Sequence, residues 1–202
     1  MIVKICGMRD ADNIREIERL GIDWMGFIFY EGSARHILRK PAYLPDKARR
    51  VGVFVNERPE RIVEIVADFD LSFIQLHGDE TPETCRILRT AGQSLIKAFP
   101  IASEKDFQAT EPFESLCDYY LFDTKTSGYG GSGTSFDWSL LRHYHGTTPF
   151  LLSGGIGPDD AEAILKLRHP RFAGIDLNSR FEIVPGRKDP ETVRNFLAKI
   201  RK

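Results

Sequence analysis

Eight short apolar segments recur along the chain, each rich in β-branched and aromatic residues. They are IVKIC (2–6), WMGFIF (24–29), VGVFV (51–55), LSFIQL (71–76), LIKAF (95–99), YYLFD (119–123), PFLLS (149–153) and FAGIDL (172–177). Most are apolar throughout rather than alternating, which is typical of strands buried on both faces of a parallel sheet. The pattern therefore predicts eight buried parallel strands.

Stretches with helical spacing of apolar residues lie between these segments. They are DADNIREIERLG (10–21), RPERIVEIVADF (58–69), DETPETCRILRTAG (79–92), SEKDFQA (103–109), GPDDAEAILKLRH (157–169) and DPETVRNFLAKIRK (189–202). Caps, prolines and terminal glycines mark several of their ends, as Thr81, Pro82 and Gly92 do. Two further segments with fewer helical signals, 40–50 and 136–144, complete the predicted helices.

Strands that alternate with helical crossovers predict an α/β fold, a small (β/α)8 TIM barrel that forms a single domain over residues 1–202. A doubly wound open sheet is the alternative, but no GxGxxG sequence follows the first strand. In a barrel, reactive groups lie at the C-terminal ends of the strands and in the loops after them. We therefore expect the functional residues at that rim.

The formal net charge of -1 does not favour a nucleic-acid or anionic-membrane partner. No apolar segment is long enough to span a bilayer, and the N-terminal residues lack the features of a signal peptide. The three cysteines, Cys6, Cys85 and Cys117, lack the spacing of a disulfide framework or a zinc site. We expect a cytoplasmic protein without a metal, with Cys85 and Cys117 as inert core residues.

Polar residues stand at the end of nearly every predicted strand, although a packed core does not require them there. They are Cys6, Ser33, Arg35, His36, Asn56, Gln75, His77 and Asp123, followed by SGGIG (153–157) and DLNSRFE (176–182). Lys97 lies within the fifth strand. Because the strands of a barrel end at one rim, we expect these side chains to surround a single mouth.

Seven segments resemble those of the phosphoribosylanthranilate isomerase family of tryptophan biosynthesis, and they occur in the order of that family. They are VKICGMRD (3–10), GFIFYEGSARHI (26–37), VGVFVNE (51–57), IQLHGDE (74–80), FDTKTSGYGGSGTSFDW (122–138), SGGIGPDDA (153–161) and GIDLNSRFEIVPGRKD (174–189). The resemblance covers every barrel position except the fifth strand.

The resemblance implies an Amadori rearrangement of N-(5-phosphoribosyl)anthranilate, a small-molecule substrate, to 1-(2-carboxyphenylamino)-1-deoxyribulose 5-phosphate. The reaction needs an acid for the ring oxygen and a base for the proton on C2 of the sugar. It also needs one site for the phosphate and another for the carboxylated aromatic ring. No cofactor is implied.

The resemblance assigns the role of general base to Cys6 and that of general acid to Asp123. A thiolate favoured by nearby positive charge can remove a carbon-bound proton, and we expect Gly7 to leave space beside the sulfur. A carboxyl that donates near neutral pH must be kept protonated by burial or by a neighbouring negative charge. From position alone, Cys6 is more typical of a small buried residue and Asp123 of a loop cap.

Arg35 is implied as the residue that binds the anthranilate carboxylate, for which its planar guanidinium is suited. Without the family, a solvated loop arginine is the alternative. Ala34 stands where the family usually has proline, which we expect to loosen the loop. The glycine loop after Asp123 is implied to fold over the substrate, with Gly130 and Gly131 in contact with it. A plain surface connection is the alternative for this loop.

The resemblance places the phosphate at the last two strands. Gly154 and Gly155 offer backbone N–H groups that can approach phosphate oxygens closely. Asn178 and Ser179 precede a short helical turn, whose N-terminus favours an anion. Arg180 stands where the family most often has glycine, so its side chain either adds a phosphate contact or crowds the site.

Three further points stay open. Gly157 replaces the asparagine usual before the proline of the next helix, and we expect this change to affect capping only. His77 and Asp176 lie near the predicted mouth, and the sequence does not decide whether they take part in the chemistry or orient their neighbours. The chain is predicted to be a monomer or a homodimer.

Two other functions remain as alternatives. Another phosphosugar barrel, such as a pentose-phosphate epimerase or an indole-glycerol-phosphate synthase, would share the phosphate site but not the pairing of Cys6 with Asp123. Such epimerases also need metal ligands that are not evident in the sequence. The second alternative is a sugar-phosphate-binding barrel that has lost catalysis, against which the presence of Cys6, Arg35 and Asp123 argues.

Overall fold

The computed structural model describes residues 1–124 and 137–201. Eight parallel strands follow one another around a closed barrel in this part of the chain: β1 (Ile2–Ile5), β2 (Trp24–Ile28), β3 (Arg49–Phe54), β4 (Phe73–Leu76), β5 (Leu95–Ile101), β6 (Tyr119–Thr124), β7 (Phe150–Leu152) and β8 (Phe172–Leu177). Each predicted apolar segment contains one of these strands for most of its length. The predicted (β/α)8 TIM barrel is therefore confirmed.

The barrel closes where β1 pairs with β8, with Lys4 opposite Asp176. Apolar side chains from six strands pack across the barrel: Trp24, Val51, Phe73, Ile96, Ala98, Leu121 and Leu151. The rings of Trp24 and Tyr119, on non-adjacent strands, lie 5.1 Å apart within this layer. Since all eight strands run in the same direction, their last residues meet at one rim.

Helices cover the outside of the barrel. The α-helices are α1 (Ala11–Glu18), α2 (Pro59–Phe69), α3 (Pro82–Thr90), α4 (Ala161–Lys166) and α5 (Pro190–Ile200). In α1, the carboxylate of Asp10 accepts a hydrogen bond from the backbone N–H of Asn13, and Ile14 and Ile17 are buried. Among the described residues, no helix has both the length and the apolar character needed to cross a bilayer.

The crossover after β2 contains no helix, so the prediction of a helix over residues 40–50 is wrong. Pro41 and Pro45 interrupt the segment, and proline supplies no backbone N–H for a helical hydrogen bond. The carboxylate of Glu18 holds the segment instead, because it accepts hydrogen bonds from the Tyr43 hydroxyl and from the Lys47 N–H at 2.5 and 2.6 Å. A side chain of α1 thus replaces the missing helical turns.

Two other predicted helices form 3₁₀ turns rather than α-helices. One runs from Glu104 to Phe113 and includes Pro112, and the other runs from Trp138 to His143. A third 3₁₀ turn, Ser179–Phe181, follows β8 directly. Short 3₁₀ pieces are common as connectors, where few residues must close a crossover.

A small antiparallel hairpin follows β8 and was not predicted. Its strands are β9 (Glu182–Val184) and β10 (Arg187–Lys188). Gly186 lies in the turn with a φ of +86°, a conformation that glycine adopts without strain. The hairpin brings two charged side chains, Glu182 and Lys188, back towards the rim of the barrel, where both are largely buried.

Candidate active site

The C-terminal ends of the strands surround a cavity. Its lining contains six residues that the sequence predicted for the site: Cys6, Asp123, Gly154, Gly155, Asn178 and Ser179. His77 and Asp176, whose part the sequence left open, also line it, as do Ser33 and Gln75. Arg35 stands beside this lining rather than in it. Gly130 and Gly131, with the loop predicted to fold over the substrate, lie outside the described residues.

Cys6 follows the last residue of β1 and is only 4% exposed. Burial raises the pKa of its thiol above the ordinary value, because water no longer stabilises the thiolate. The positive charges of Lys4 and Lys188 act in the opposite direction and favour the thiolate. The sulfur is therefore largely shielded from solvent, and the charges of two lysines act on it.

The space beside this sulfur is provided by Gly26 of β2. A Cβ atom on Gly26 would lie 2.7 Å from the Sγ of Cys6, closer than real Cβ atoms come, and 3.1 Å from its Cα, which is an unusually tight contact. A Cβ on Gly7 would meet Arg35 at 2.7 Å and Asn178 at 3.0 Å, so this glycine leaves room for those two side chains. That Gly7 also leaves space beside the sulfur stays a prediction. Each glycine admits a different part of the site.

A buried ion pair lies beneath the thiol. Lys4 is 0% exposed, and its Nζ lies 2.8 Å from Oδ2 of Asp176 on the neighbouring strand β8. Burial is the largest single effect and opposes the ammonium, but the interactions with Asp176 and Cys6 together outweigh it, so the pKa of Lys4 is raised. Burial also raises the pKa of Asp176, with Lys4 opposing the increase. The Oδ1 atom of Asp176 has no hydrogen-bond partner among the described residues.

Asp123 ends a chain of three polar side chains that crosses the rim. Nε2 of Gln75 donates to Nδ1 of His77 at 2.8 Å, and Nε2 of His77 lies 3.2 Å from Oδ2 of Asp123. With Nδ1 as an acceptor, the ring proton of a neutral His77 is on Nε2 and points to the carboxylate. Oδ1 of Asp123 accepts the backbone N–H of Thr124 at 2.8 Å. Both carboxylate oxygens are thus held in place.

Lys97 supports the loop that carries His77. It is 3% exposed, and its Nζ donates to the carbonyl oxygen of Gly78 at 2.8 Å and lies 3.3 Å from Oε2 of Glu80. Glu80 in turn accepts the backbone N–H groups of Gly78 and Asn56. These contacts fix the connection after β4, so the position of Lys97 is explained by the fold alone.

Arg35 is held by Glu182 of the hairpin. Its Nε and Nη2 atoms donate to the two carboxylate oxygens of Glu182 at 2.9 and 2.6 Å. Lys188 donates to the same carboxylate at 2.6 Å and to Oδ1 of Asn178 at 2.8 Å. Burial is the largest single effect and opposes the charge of Glu182, but the hydrogen bonds it accepts and the positive charge of Lys188 together outweigh burial and lower the pKa of the carboxyl.

The loops after β7 and β8, which are neighbouring strands, both line the cavity. Gly154 and Gly155 have φ values of +82° and +67°, in the left-handed region that favours glycine. A Cβ on Gly154 would lie 2.3 Å from Oγ1 of Thr124, so the backbone approaches β6 too closely for any side chain. Asn178 and Ser179 line the same cavity from the loop after β8.

Arg180 reaches from the loop after β8 to the loop after β7. A Cβ on Gly157 would lie 2.8 Å from Nε of Arg180, which means that the guanidinium occupies the space a side chain there would fill. The expectation that Gly157 affects capping only is therefore wrong. Asp160, not Gly157, is the N-cap of α4. The two departures from the family pattern are complementary in space.

Sequence reasoning missed three charged residues of this region: Lys4, Glu182 and Lys188. The signal for Lys4 was present, since a lysine two residues before Cys6 points to the same face of a strand. Glu182 and Lys188 lie within the segment 174–189 that carried the resemblance. In the part of the chain that the structure describes, no group of three or more His, Cys, Asp or Glu residues could hold a metal ion.

A closed barrel of eight parallel strands, with a thiol, a carboxyl and glycine-rich loops at its C-terminal rim, defines an enzyme of the (β/α)8 class. The family model described as N-(5'phosphoribosyl)anthranilate (PRA) isomerase matches residues 3–199. The chain belongs to this family, and the resemblance to an isomerase of tryptophan biosynthesis is confirmed.

Known relatives agree with this membership. The chain is 52% identical over 201 residues to N-(5'-phosphoribosyl)anthranilate isomerase of Phocaeicola vulgatus, with 100% of this chain and 98% of the relative covered. It is 54% identical over 206 residues to the isomerase of Parabacteroides distasonis, with 99% and 93% covered. A solved phosphoribosyl anthranilate isomerase in complex with reduced 1-(o-carboxyphenylamino)-1-deoxyribulose 5-phosphate superimposes with a TM-score of 0.84 at 31% identity, covering 100% and 99% of the two chains.

Proposed function

We propose that the chain converts N-(5-phosphoribosyl)anthranilate to 1-(2-carboxyphenylamino)-1-deoxyribulose 5-phosphate, with Cys6 as general base and Asp123 as general acid. The observation that carries the proposal is that one cavity is lined by the thiol of Cys6, the carboxyl of Asp123 and the glycine loop after β7. A base, an acid and an anion site on one small cavity are what this rearrangement requires.

Ring opening is the first step of the proposed mechanism. The carboxyl of Asp123 gives its proton to the furanose ring oxygen while the C1–O bond breaks, and the nitrogen lone pair forms a C1=N iminium. Asp123 is left as a carboxylate, which the N–H of His77 and the backbone N–H of Thr124 can stabilise from the positions they hold. His77 therefore orients and stabilises the acid.

Proton abstraction is the second step. The thiolate of Cys6 takes the proton from C2, the C2–H electrons form a C1=C2 double bond, and the iminium nitrogen becomes neutral. Cys6 ends this step as a thiol. The resulting enolamine tautomerises to the ketone as the C2 hydroxyl loses its proton and C1 gains one. A buried sulfur suits this step because water cannot compete for the proton.

The two ends of the substrate are bound by different loops in this proposal. Gly154, Gly155 and Ser179 hold the phosphate, with the positive charge of Arg180 at its edge. Arg35 receives the anthranilate carboxylate through the guanidinium edge that Glu182 does not use. Gly130 and Gly131 stay predicted substrate contacts, and a monomer or homodimer stays the predicted oligomeric state.

A fluorescence assay tests the activity directly. Phosphoribosylanthranilate is mixed with the purified chain, and loss of its fluorescence is followed with and without a chelator such as EDTA. We expect turnover that the chelator does not reduce. Turnover abolished by the chelator would contradict a reaction that needs only Cys6 and Asp123. Absence of turnover would support another phosphosugar barrel, and binding of the substrate without turnover would support a non-catalytic barrel.

A further inference from the structure

Lys4 is a fully buried lysine whose position the barrel itself does not require. It lies in the middle of β1, is 0% exposed, and interrupts an otherwise apolar strand. A buried ammonium is costly unless paired, and Asp176 pairs with it at 2.8 Å. A well-packed apolar pair would fill the same volume without that cost. The buried charges of Lys4 and Asp176 therefore point to a functional role.

The ammonium of Lys4 and the sulfur of Cys6 lie on the same side of the strand and close together. A Cβ on Gly26 would lie 2.7 Å from Sγ of Cys6 and 3.2 Å from Nζ of Lys4, so both atoms border the one space that Gly26 leaves empty. Residues two apart on a strand point to the same face, which accounts for the meeting.

Three charged groups act on the Cys6 sulfur. Lys4 and Lys188 favour the thiolate, and Asp176 opposes it. Lys188 is already engaged by Glu182 at 2.6 Å and by Asn178 at 2.8 Å. Lys4 has Asp176 as its carboxylate partner, and its effect in favour of the thiolate is larger than that of Lys188. Lys4 is thus the cation best placed to balance the negative charge of the Cys6 thiolate.

We propose that Lys4 is a positioning residue for the reaction, that its ammonium is the counter-ion of the Cys6 thiolate, and that Asp176 holds the ammonium beneath the sulfur. The inference rests on the proposed role of Cys6 as the base. When the thiolate accepts the C2 proton, the sulfur loses its negative charge while Lys4 keeps its three protons and remains paired with Asp176. The site is then never left with an unpaired buried cation.

The test measures the thiolate of Cys6 directly rather than through turnover. The rate of Cys6 alkylation by iodoacetamide is followed across pH by mass spectrometry of the peptide that contains it. The double variant Lys4→Met/Asp176→Asn removes both charges together, so no uncompensated buried charge threatens the fold. In this variant, we expect the pH midpoint of the Cys6 alkylation rate to rise by about one unit. This rise corresponds to a tenfold loss of thiolate at a given pH below the midpoint.

The single variant Asp176→Asn gives the opposite expectation. With the carboxylate gone, the thiolate is the anion left to Lys4, and the alkylation midpoint should fall below that of the unmodified chain. A matched control is Lys97→Met/Glu80→Gln, another buried lysine–carboxylate pair of the same barrel that is not among the charges acting on Cys6. Its alkylation midpoint should not change.

Turnover gives a second readout. The double variant should lose about tenfold in kcat near neutral pH, regain activity as the pH is raised, and keep KM within about twofold. A folded double variant with an unchanged alkylation midpoint would overturn the proposal, as would a rise of the midpoint in Asp176→Asn. If Cys6→Ser retains normal turnover, the proposed base is wrong, but a shifted alkylation midpoint would still establish Lys4 as the counter-ion of the thiolate.

Discussion

Arg35 and Glu182 form a bidentate ion pair that joins the loop after β2 to the hairpin after β8. The side chains are only 14% and 4% exposed, so the pair is shielded from water. A planar guanidinium bound along one edge presents its other edge in a fixed direction. Glu182 therefore determines where Arg35 can offer hydrogen bonds to a ligand.

The variant Glu182→Gln should destabilise the protein by about 3 to 5 kcal/mol, because it leaves the buried ammonium of Lys188 without its carboxylate. Urea unfolding at neutral pH measures this loss. The exposed pair of Arg61 and Glu64 provides the control, since Glu64→Gln should change stability by less than about 1 kcal/mol. Equal effects of the two variants would contradict the structural role of Glu182.

The lowered pKa of Glu182 also makes the stability of the protein depend on pH. The pKa of Glu182 is lowered below its ordinary 4.5, so the folded state binds the proton more weakly than the unfolded state. Its contribution is fully present above the ordinary pKa and is lost as the pH falls through the lowered value. The free energy of unfolding, measured from pH 6 downward, should therefore decrease less steeply for Glu182→Gln than for the unmodified chain.

Replacement of Cys6 by serine should reduce kcat by about 10² to 10⁴, the usual contribution of a positioned general base. Binding of reduced 1-(o-carboxyphenylamino)-1-deoxyribulose 5-phosphate, measured by calorimetry, should change little because the phosphate loops are untouched. Cys117→Ala is the control, since Cys117 is buried outside the cavity lining. Near-normal kcat in Cys6→Ser would place the base elsewhere.

Asp123→Asn should be impaired to a similar extent in kcat, because an amide cannot give up a proton to the ring oxygen. The hydrogen bond from His77 can persist, since the amide oxygen still accepts it. Asp68→Asn, at an aspartate that is 62% exposed, should leave turnover unchanged. Full activity of Asp123→Asn would reassign the acid.

A methyl group on Gly26 should displace the sulfur of Cys6. Its Cβ would lie 2.7 Å from Sγ and 3.1 Å from the backbone Cα, so Gly26→Ala should cost about 1 to 3 kcal/mol of stability and most of kcat. In a Cys6→Ala background the stability loss should be smaller, because the sulfur is gone. If the stability losses of Gly26→Ala and Cys6→Ala simply add in the double variant, the two residues do not compete for this space.

Arg180 is expected to strengthen phosphate binding modestly. Arg180→Gln should raise the inhibition constant for inorganic phosphate about two- to fivefold, as expected for an exposed charge pair, and leave kcat nearly unchanged. Gly157→Ala should act in the same direction, because its Cβ would push the guanidinium away. Arg194→Gln, at an exposed arginine of α5, is the control. Tighter phosphate binding by Arg180→Gln would mean that the side chain crowds the site.

The sequence by itself determined the eight strands, their parallel arrangement and the rim on which Cys6, His77 and Asp123 meet. Continuous apolar runs leave few alternatives to strands buried on both faces, and parallel strands bring their ends to one side. Local pattern was less successful at 40–50, where two prolines and the carboxylate of Glu18 decide the path.

Only the tertiary structure decided which residues surround the sulfur and which hold the guanidinium. Gly26 lies beside Cys6 because β1 and β2 are neighbours, and Glu182 reaches Arg35 across 147 positions of sequence. Burial of Lys4 against Asp176 likewise follows from the closure of the barrel between its first and last strands. Such contacts depend on strand pairing and barrel closure, which bring together side chains that no local pattern relates.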